Sequence, residues 1–313
     1  MALSGQVMAV LMASAFQVSS ADYCYGEDYC NPYEWSKTYF SCTPDYTKHH
    51  SPIDISARVM KNDSLPPLIF TGFHVVQSSW LVANTRDTVV VEVQKGMKVS
   101  GGGLRNEYQI VEMRFHWGSR TTNGSEHTFN KRRFPMEMQL VGLAPGFQDV
   151  FSASKEQSGL AKLGVFIDIG DENVPFKAIS DAIPSLSFPG QSVNVTPPAL
   201  LDLMPNYTNR FYCYSGSQTA PPCFPTVQWI VFEKPIFISQ KQYLVFATGV
   251  YYSDEDDPKR KLLVENYRHV QSSAMRSVFA SPDAAVLKSQ GASPVGVFGT
   301  ILILLLPCML RMA

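Results

Sequence analysis

From residue 52 to about 270 the apolar positions come in short runs, each cut off by Gly, Pro, Asn or Ser. The clearest are Thr88-Val89-Val90-Val91-Glu92-Val93, Leu163-Gly164-Val165-Phe166-Ile167 and Val227-Gln228-Trp229-Ile230-Val231-Phe232. They are β-branched or aromatic and of strand length, so they predict strands. Few windows carry the periodicity of a long amphipathic helix. No internal repeat and no interdomain linker breaks the pattern. Residues 21 to 50, rich in Tyr, Cys, Asp and Ser, read as irregular. The pattern predicts one β-rich domain over 21–270 and a stalk over 271–290.

Two apolar segments lie outside that domain. Val7-Met8-Ala9-Val10-Leu11-Met12-Ala13, followed by Ser19-Ser20-Ala21, predicts a signal peptide over 1–20. A short buried helix is the alternative. The run from Val295 to Leu310 follows a spacer of small residues, Ser281 to Pro294. Spacer plus apolar tail predicts a GPI signal over 291–313, with Ser281, Ala284 and Ser289 as candidate attachment residues. A single-span anchor is the alternative, but the run is short for a span and contains Pro307. The expected location is the extracellular face of the plasma membrane, with the membrane a partner through the anchor.

Composition narrows the choice. The chain has 313 residues, 45% hydrophobic, which gives room for one sizeable core. Charged residues make up 17%, a globular rather than a disordered balance. Net charge is -1, and no basic stripe or RNA-binding motif is present, which argues against a nucleic-acid partner. Asn62-Asp63-Ser64, Asn123-Gly124-Ser125, Asn194-Val195-Thr196 and Asn206-Tyr207-Thr208 are glycosylation sequons, as suits an exported chain. Cys24, Cys30, Cys42, Cys213 and Cys223 remain once the tail with Cys308 is set aside, an odd number whose pairing spacing alone leaves open. No CxxC pair exists, so the ligand spacing of a zinc ribbon is absent.

The chemistry concentrates in a few segments. Ser51-Pro52-Ile53-Asp54-Ile55 comes first. Glu112-Met113-Arg114-Phe115-His116-Trp117-Gly118-Ser119 and Gly124-Ser125-Glu126-His127-Thr128 follow, then Met136-Glu137-Met138-Gln139-Leu140-Val141. Gly216-Ser217-Gln218-Thr219-Ala220-Pro221-Pro222 and Val227-Gln228-Trp229-Ile230-Val231 close the series. In this order and spacing they resemble the α-carbonic anhydrases over roughly residues 24 to 270. The cysteines and tail look most like the GPI-linked isozyme IV type.

That resemblance implies a mainly β domain with short helices, built around a large, twisted, mostly antiparallel sheet with a conical cleft. It implies Cys24–Cys30 and Cys42–Cys223 disulfides, leaving Cys213 free. It also assigns positions in the cleft. The family holds a catalytic zinc with three His, two in a His-x-His pair on one strand and one on its neighbour. Here those positions are Arg114, His116 and Gln139, so one imidazole survives. Guanidinium has no lone pair to offer, and an amide oxygen is a poor zinc ligand. None of the other histidines, His49, His50, His74, His127 and His269, occupies a ligand position.

The same comparison puts Arg86 at the proton-shuttle position, where a group that is always protonated cannot relay. Lys162 replaces an apolar wall residue of the CO2 pocket, and Gln218 a Leu. Val141, Val227 and Trp229 keep other walls. Glu126 and Thr219 match the pair that orients a zinc-bound hydroxide. Glu137 matches the carboxylate buttressing the third ligand, and Asn266 a partner of the second. These retained polar groups hold a fold as readily as they serve catalysis. By strand alternation Glu112, Arg114 and Glu137 share a face, which predicts a guanidinium bridging the two carboxylates. Arg and Gln at ligand positions resemble the carbonic anhydrase-related proteins, which act through protein contacts. The expectation is a binding ectodomain with no cofactor and an unknown extracellular protein or ligand as partner. The alternatives are an active zinc enzyme hydrating CO2 to bicarbonate and a purely structural or adhesive glycoprotein.

Overall fold

The computed structural model describes residues 23–286, apart from residues 45, 47, 57 and 275. The segments expected to be a signal peptide (1–20) and a GPI signal (291–313), and Ser289, lie outside the described residues.

One mixed sheet of 13 strands dominates the fold. Its long path uses β1 (Met60–Lys61), β2 (Trp80–Asn84), β3 (Val89–Glu92), β4 (Tyr108–Trp117) and β5 (Met136–Leu143). It continues with β6 (Leu160–Ile169), β7 (Ser192–Val195), β8 (Phe211–Gly216), β9 (Val227–Phe232) and β10 (Phe279–Ala280). In space the order is β7-β2-β3-β4-β5-β6-β9-β8-β10-β1. Neighbours are antiparallel except β6 with β9 and β10 with β1. Helices are short. The longest among the described residues, α1 (Gln240–Gly249), starts with a capping box in which Ser239 and Gln242 satisfy each other's backbone N–H. The described residues of the segment read as irregular, 21–50, hold only a four-residue helix at Trp35–Thr38 and a 3-10 turn at Phe40–Cys42. The Cys24–Cys30 and Cys42–Cys223 bonds pin that segment to itself and to the loop after β8.

Alternation sorts each strand between two cores. Met136, Met138 and Leu140 of β5, and Ala161, Leu163, Val165 and Ile167 of β6, face the larger one. Val141, Leu160, Phe166, Val227, Trp229 and Val231 face the smaller one. In β4 the larger core takes Tyr108 and Ile110, then Met113, Phe115 and Trp117, so the parity changes midway. A register shift explains it. Val141 pairs with Glu112 but Gly142 pairs with Ile110, leaving Val111 as an extra residue. A bulge of this kind resets which side chains point where. Glu112, Arg114 and His116 consequently face the same side as Val141 and Trp229.

The domain does not stop at residue 270. Phe279 and Ala280 pair with Cys213 and Tyr212 of β8 on one side and with Met60 and Lys61 on the other. Tyr212 donates from its hydroxyl to Ala285 O, and Ala285 N–H donates to Glu233. Much of the expected 271–290 stalk is thus sheet and packed turn, because β8 would otherwise be an edge strand with unpaired backbone. Ser281 and Ala284, two of the three candidate attachment residues, are buried in the fold. Asn123, Asn194 and Asn206 are exposed and Asn62 is half-buried.

Candidate functional site: a cleft floor of paired charges

Three registered rows of side chains make the cleft floor. Glu112, Val141, Lys162 and Trp229 align across β4, β5, β6 and β9. Arg114, Gln139, Gly164 and Val231 form the second row, and His116, Glu137 and Phe166 the third. The three expected ligand positions are therefore adjacent.

Arg114 donates from Nε to Glu112 Oε1 at 2.7 Å, and its Nη1 lies 3.8 Å from Asp87 Oδ2. Tyr23 donates to the same Asp87 oxygen at 2.8 Å. Burial opposes the Arg114 charge, but Glu112 and Asp87 more than offset it, so the guanidinium is held protonated beyond its ordinary range. The expected bridge to Glu137 does not form. Glu137 is already occupied: His127 donates from its backbone N–H to Oε2 and from Nδ1 to Oε1, each at 2.8 Å. Burial would raise the Glu137 pKa, but His127 outweighs it and the carboxyl is held below its usual value.

His116 sits with Nδ1 2.6 Å from the carbonyl of Asn266. A carbonyl only accepts, so Nδ1 carries the proton and Nε2 faces the cleft. Nε2 lies 3.5 Å from Glu126 Oε2. The Asn266 side chain accepts from Trp117 N–H at 2.8 Å and donates to Asp87 O and Phe115 O.

Gln139 is fully buried and bonded at both ends. Its Nε2 donates to Glu126 Oε2 at 2.8 Å and to Glu137 Oε1 at 3.1 Å. Its Oε1 accepts from Lys162 Nζ at 3.3 Å. Lys162 is 5% exposed, with Nζ 5.4 Å from the Trp229 ring centre. Burial, then the like charge of Arg114, brings the Lys162 ammonium down to a pKa of about 8.

Glu126 accepts from Gln139 on one oxygen and from Arg268 N–H on the other. No hydrogen bond joins it to Thr219 among the described residues, so the expected Glu126–Thr219 pair is not made. Thr219 is buried and Gln218 half-buried in the turn after β8. Arg86, at the expected shuttle position, is tied to Tyr252 O at 2.9 Å and to Asp254 at 2.6 Å.

Asp87, Tyr23 and Arg268 belong to this network and were not singled out from the sequence. Their signal was position alone: Asp87 follows Arg86, and Arg268 lies two residues past Asn266. His127 Nε2 and the Tyr214 hydroxyl are 2.7 Å apart, and that hydroxyl is 2.9 Å from Ser51 Oγ, which extends the network under the cleft. Chemically, the floor pairs four carboxylates with two cations, Lys162 buried and Arg114 half-buried, and an amide. Among the described residues no three His, Cys, Asp or Glu side chains are grouped so as to hold a metal ion.

Comparison with known proteins bears on the fold. A family model described as eukaryotic-type carbonic anhydrase matches residues 30–282. Human carbonic anhydrase 12 is 34% identical over 251 residues, covering 79% of this chain and 70% of that protein. Mouse carbonic anhydrase 15 is 34% identical over 299 residues, covering 91% of each. Human receptor-type tyrosine-protein phosphatase zeta is 33% identical over 258 residues, 80% of this chain but 11% of that protein.

Proposed function

The chain belongs to the eukaryotic-type carbonic anhydrase family, and we propose that within it the chain is a binding ectodomain rather than a CO2 hydratase. One observation carries this reading: the positions where the family resemblance puts three zinc ligands hold Arg114, His116 and Gln139, side by side on β4 and β5. They do not make a zinc donor set. Arg114 offers no lone pair and holds a positive charge where a divalent cation would sit. The Gln139 oxygen accepts from Lys162, so its amide presents N–H groups to the carboxylates. No hydration step is therefore derived through a metal. The match to a segment of a protein named as a receptor phosphatase supports a role for this domain type outside proteins named for the activity.

The location belongs to the same proposal. Two disulfides suit an oxidising compartment. Among the described residues no helix is long and apolar enough to cross a membrane. The proposed attachment is a GPI anchor added beyond residue 286, with glycans on the exposed sequons.

The alternative is an active zinc enzyme, favoured by His116, whose Nε2 is aimed into the cleft by Asn266. Zinc content and stopped-flow CO2 hydration, measured on the full chain purified from expressing-cell membranes, separate the two. The binding reading expects well under one zinc per chain and hydration at the buffer rate. Near one zinc per chain with fast, sulfonamide-sensitive hydration would overturn it.

A further inference from the structure

A second cavity, of about 510 Å³, opens at the edge of the sheet where β8 and β9 meet the 276–279 segment and the turn at Gly103–Arg105. Of the cleft residues described above, only Tyr214 and Trp229 also line it. Its charge is one-sided. Arg105 and Arg276 line it, and no described lining residue is acidic.

Arg276 is the unusual group. Its Nη2 donates to Ser272 O at 3.0 Å, and its guanidinium carbon lies 5.6 Å from the Tyr214 ring centre. Its Nε and Nη1 are buried with no hydrogen-bond partner. Burial pulls its pKa below the ordinary arginine value, and among the described residues no carboxylate answers the charge. Buried polar groups are nearly always satisfied, so the two orphaned donors, on opposite sides of the guanidinium, mark an uncompensated cation. An anion in the cavity beside Arg276 and Arg105 would supply the negative charge that no described lining residue supplies. Leu65 and Phe279 supply apolar wall beside it. The volume suits a small organic molecule, and a few convergent polar groups in an otherwise apolar cavity are the usual form of such sites.

We propose that this cavity binds an organic acid, its carboxylate or sulfonate head held by Arg276 and Arg105 and its apolar body resting on Leu65 and Phe279. The site lies beside the cleft, with Tyr214 and Trp229 common to both, and does not depend on whether the cleft holds zinc. Cys213, the free cysteine of the described residues, lines the same cavity and gives a reporter. Burial pushes its thiol up to about 11, so its alkylation is slow and limited by access.

The test uses the full chain in detergent, as expressed and after enzymatic removal of N-glycans, because Asn62 also lines the cavity. The probes are benzoate and benzenesulfonate at about 10 mM, with benzyl alcohol as the uncharged control. Alkylation of Cys213 is followed by peptide mass spectrometry. At least one acid should slow it about threefold or more while benzyl alcohol does not. The acid that protects better identifies the head group. Arg276→Gln and Arg105→Gln should each weaken protection about tenfold. Lys162→Met, in the cleft, should leave it unchanged. Arg105 is exposed, so its variant keeps the test valid if Arg276→Gln fails to fold. The proposal falls if neither acid protects, if benzyl alcohol protects equally, if protection survives both arginine substitutions, or if it is lost with Lys162→Met alone.

Discussion

Lys162 donates from Nζ to Oε1 of Gln139 across 3.3 Å, and both side chains are sealed from solvent. One residue stands where the family resemblance puts a metal ligand and the other where it puts a pocket wall. Together they fill the space with an amide and an ammonium. The amide gains a donor, but the ammonium gives up most of its hydration for one long hydrogen bond. That imbalance has a pH signature.

The folded protein holds Lys162 at about 8, below the ordinary value of about 10.4 in an unfolded chain. Between these two values the unfolded state binds more protons, so stability rises with pH across that window. Below pH 8 the penalty is fully present. Lys162→Met removes it and leaves the Gln139 oxygen without its donor. The penalty is about 2–4 kcal/mol and the lost bond about 1 kcal/mol. The variant should therefore be more stable at pH 7 by roughly 1–3 kcal/mol, with the gap closing as pH rises towards 10. Denaturant titrations at pH 7, 8.5 and 9.5 read it directly. A gap that stays constant over that range would show that Lys162 is not held neutral-leaning by burial.

Restoring the ligands separates metal binding from turnover. Arg114→His and Gln139→His supply the two missing imidazoles, and Lys162→Val removes the neighbouring cation. His116 already has its tautomer set by Asn266, and Glu137 is in place beside position 139. The triple variant should bind zinc near one per chain. Its CO2 hydration should stay far below that of a working enzyme, because Arg86 is locked to Tyr252 and Asp254 and cannot relay protons. Metal analysis and stopped flow on one preparation give both quantities. No zinc uptake would mean that the floor has closed further than these residues account for.

How much of this could be read from the chain depends on the residue. Val227–Phe232 is strand over the whole run that its apolar residues mark, and the three positions expected to be ligands fall side by side as the two motifs imply. Both disulfides implied by the resemblance are present. The Arg114 partner was only half legible. Alternation put Glu112 and Glu137 on the right face, but His127 had the stronger claim on Glu137 and a loop carboxylate, Asp87, came nearer to the guanidinium. Loop side chains reach a site through tertiary folding, which no local periodicity encodes. The boundary at 270 failed for a related reason. A two-residue strand such as Phe279–Ala280 has too few residues to show a pattern.

Gly164 sits across from Gln139 because the floor needs its missing side chain. A Cβ there would meet Glu137 Oε1 at 3.0 Å and Val231 Cγ2 at 3.7 Å. Glu137 cannot swing away without leaving His127 and Gln139. Gly164→Ala should therefore lower the unfolding free energy by about 1–3 kcal/mol, as overpacking of a rigid core does. A variant within about 0.5 kcal/mol of the parent would mean that the carboxylate shifts more freely than its three hydrogen bonds allow.

The C-terminal boundary gives the last test. A chain ended after residue 270 loses β10, and with it the ladder partners of Tyr212, Cys213, Met60 and Lys61. It also loses Ser281, whose hydroxyl donates to Asn209 O and accepts from Phe211 N–H. An edge strand stripped of its partner exposes backbone donors and acceptors that invite aggregation. Secreted from cells, a chain ended after residue 286 should appear in the medium as a monomer with a cooperative melt. The chain ended after 270 should be retained or recovered as aggregate. Equal secretion and equal melting temperatures would show that residues 271–286 act as stalk after all.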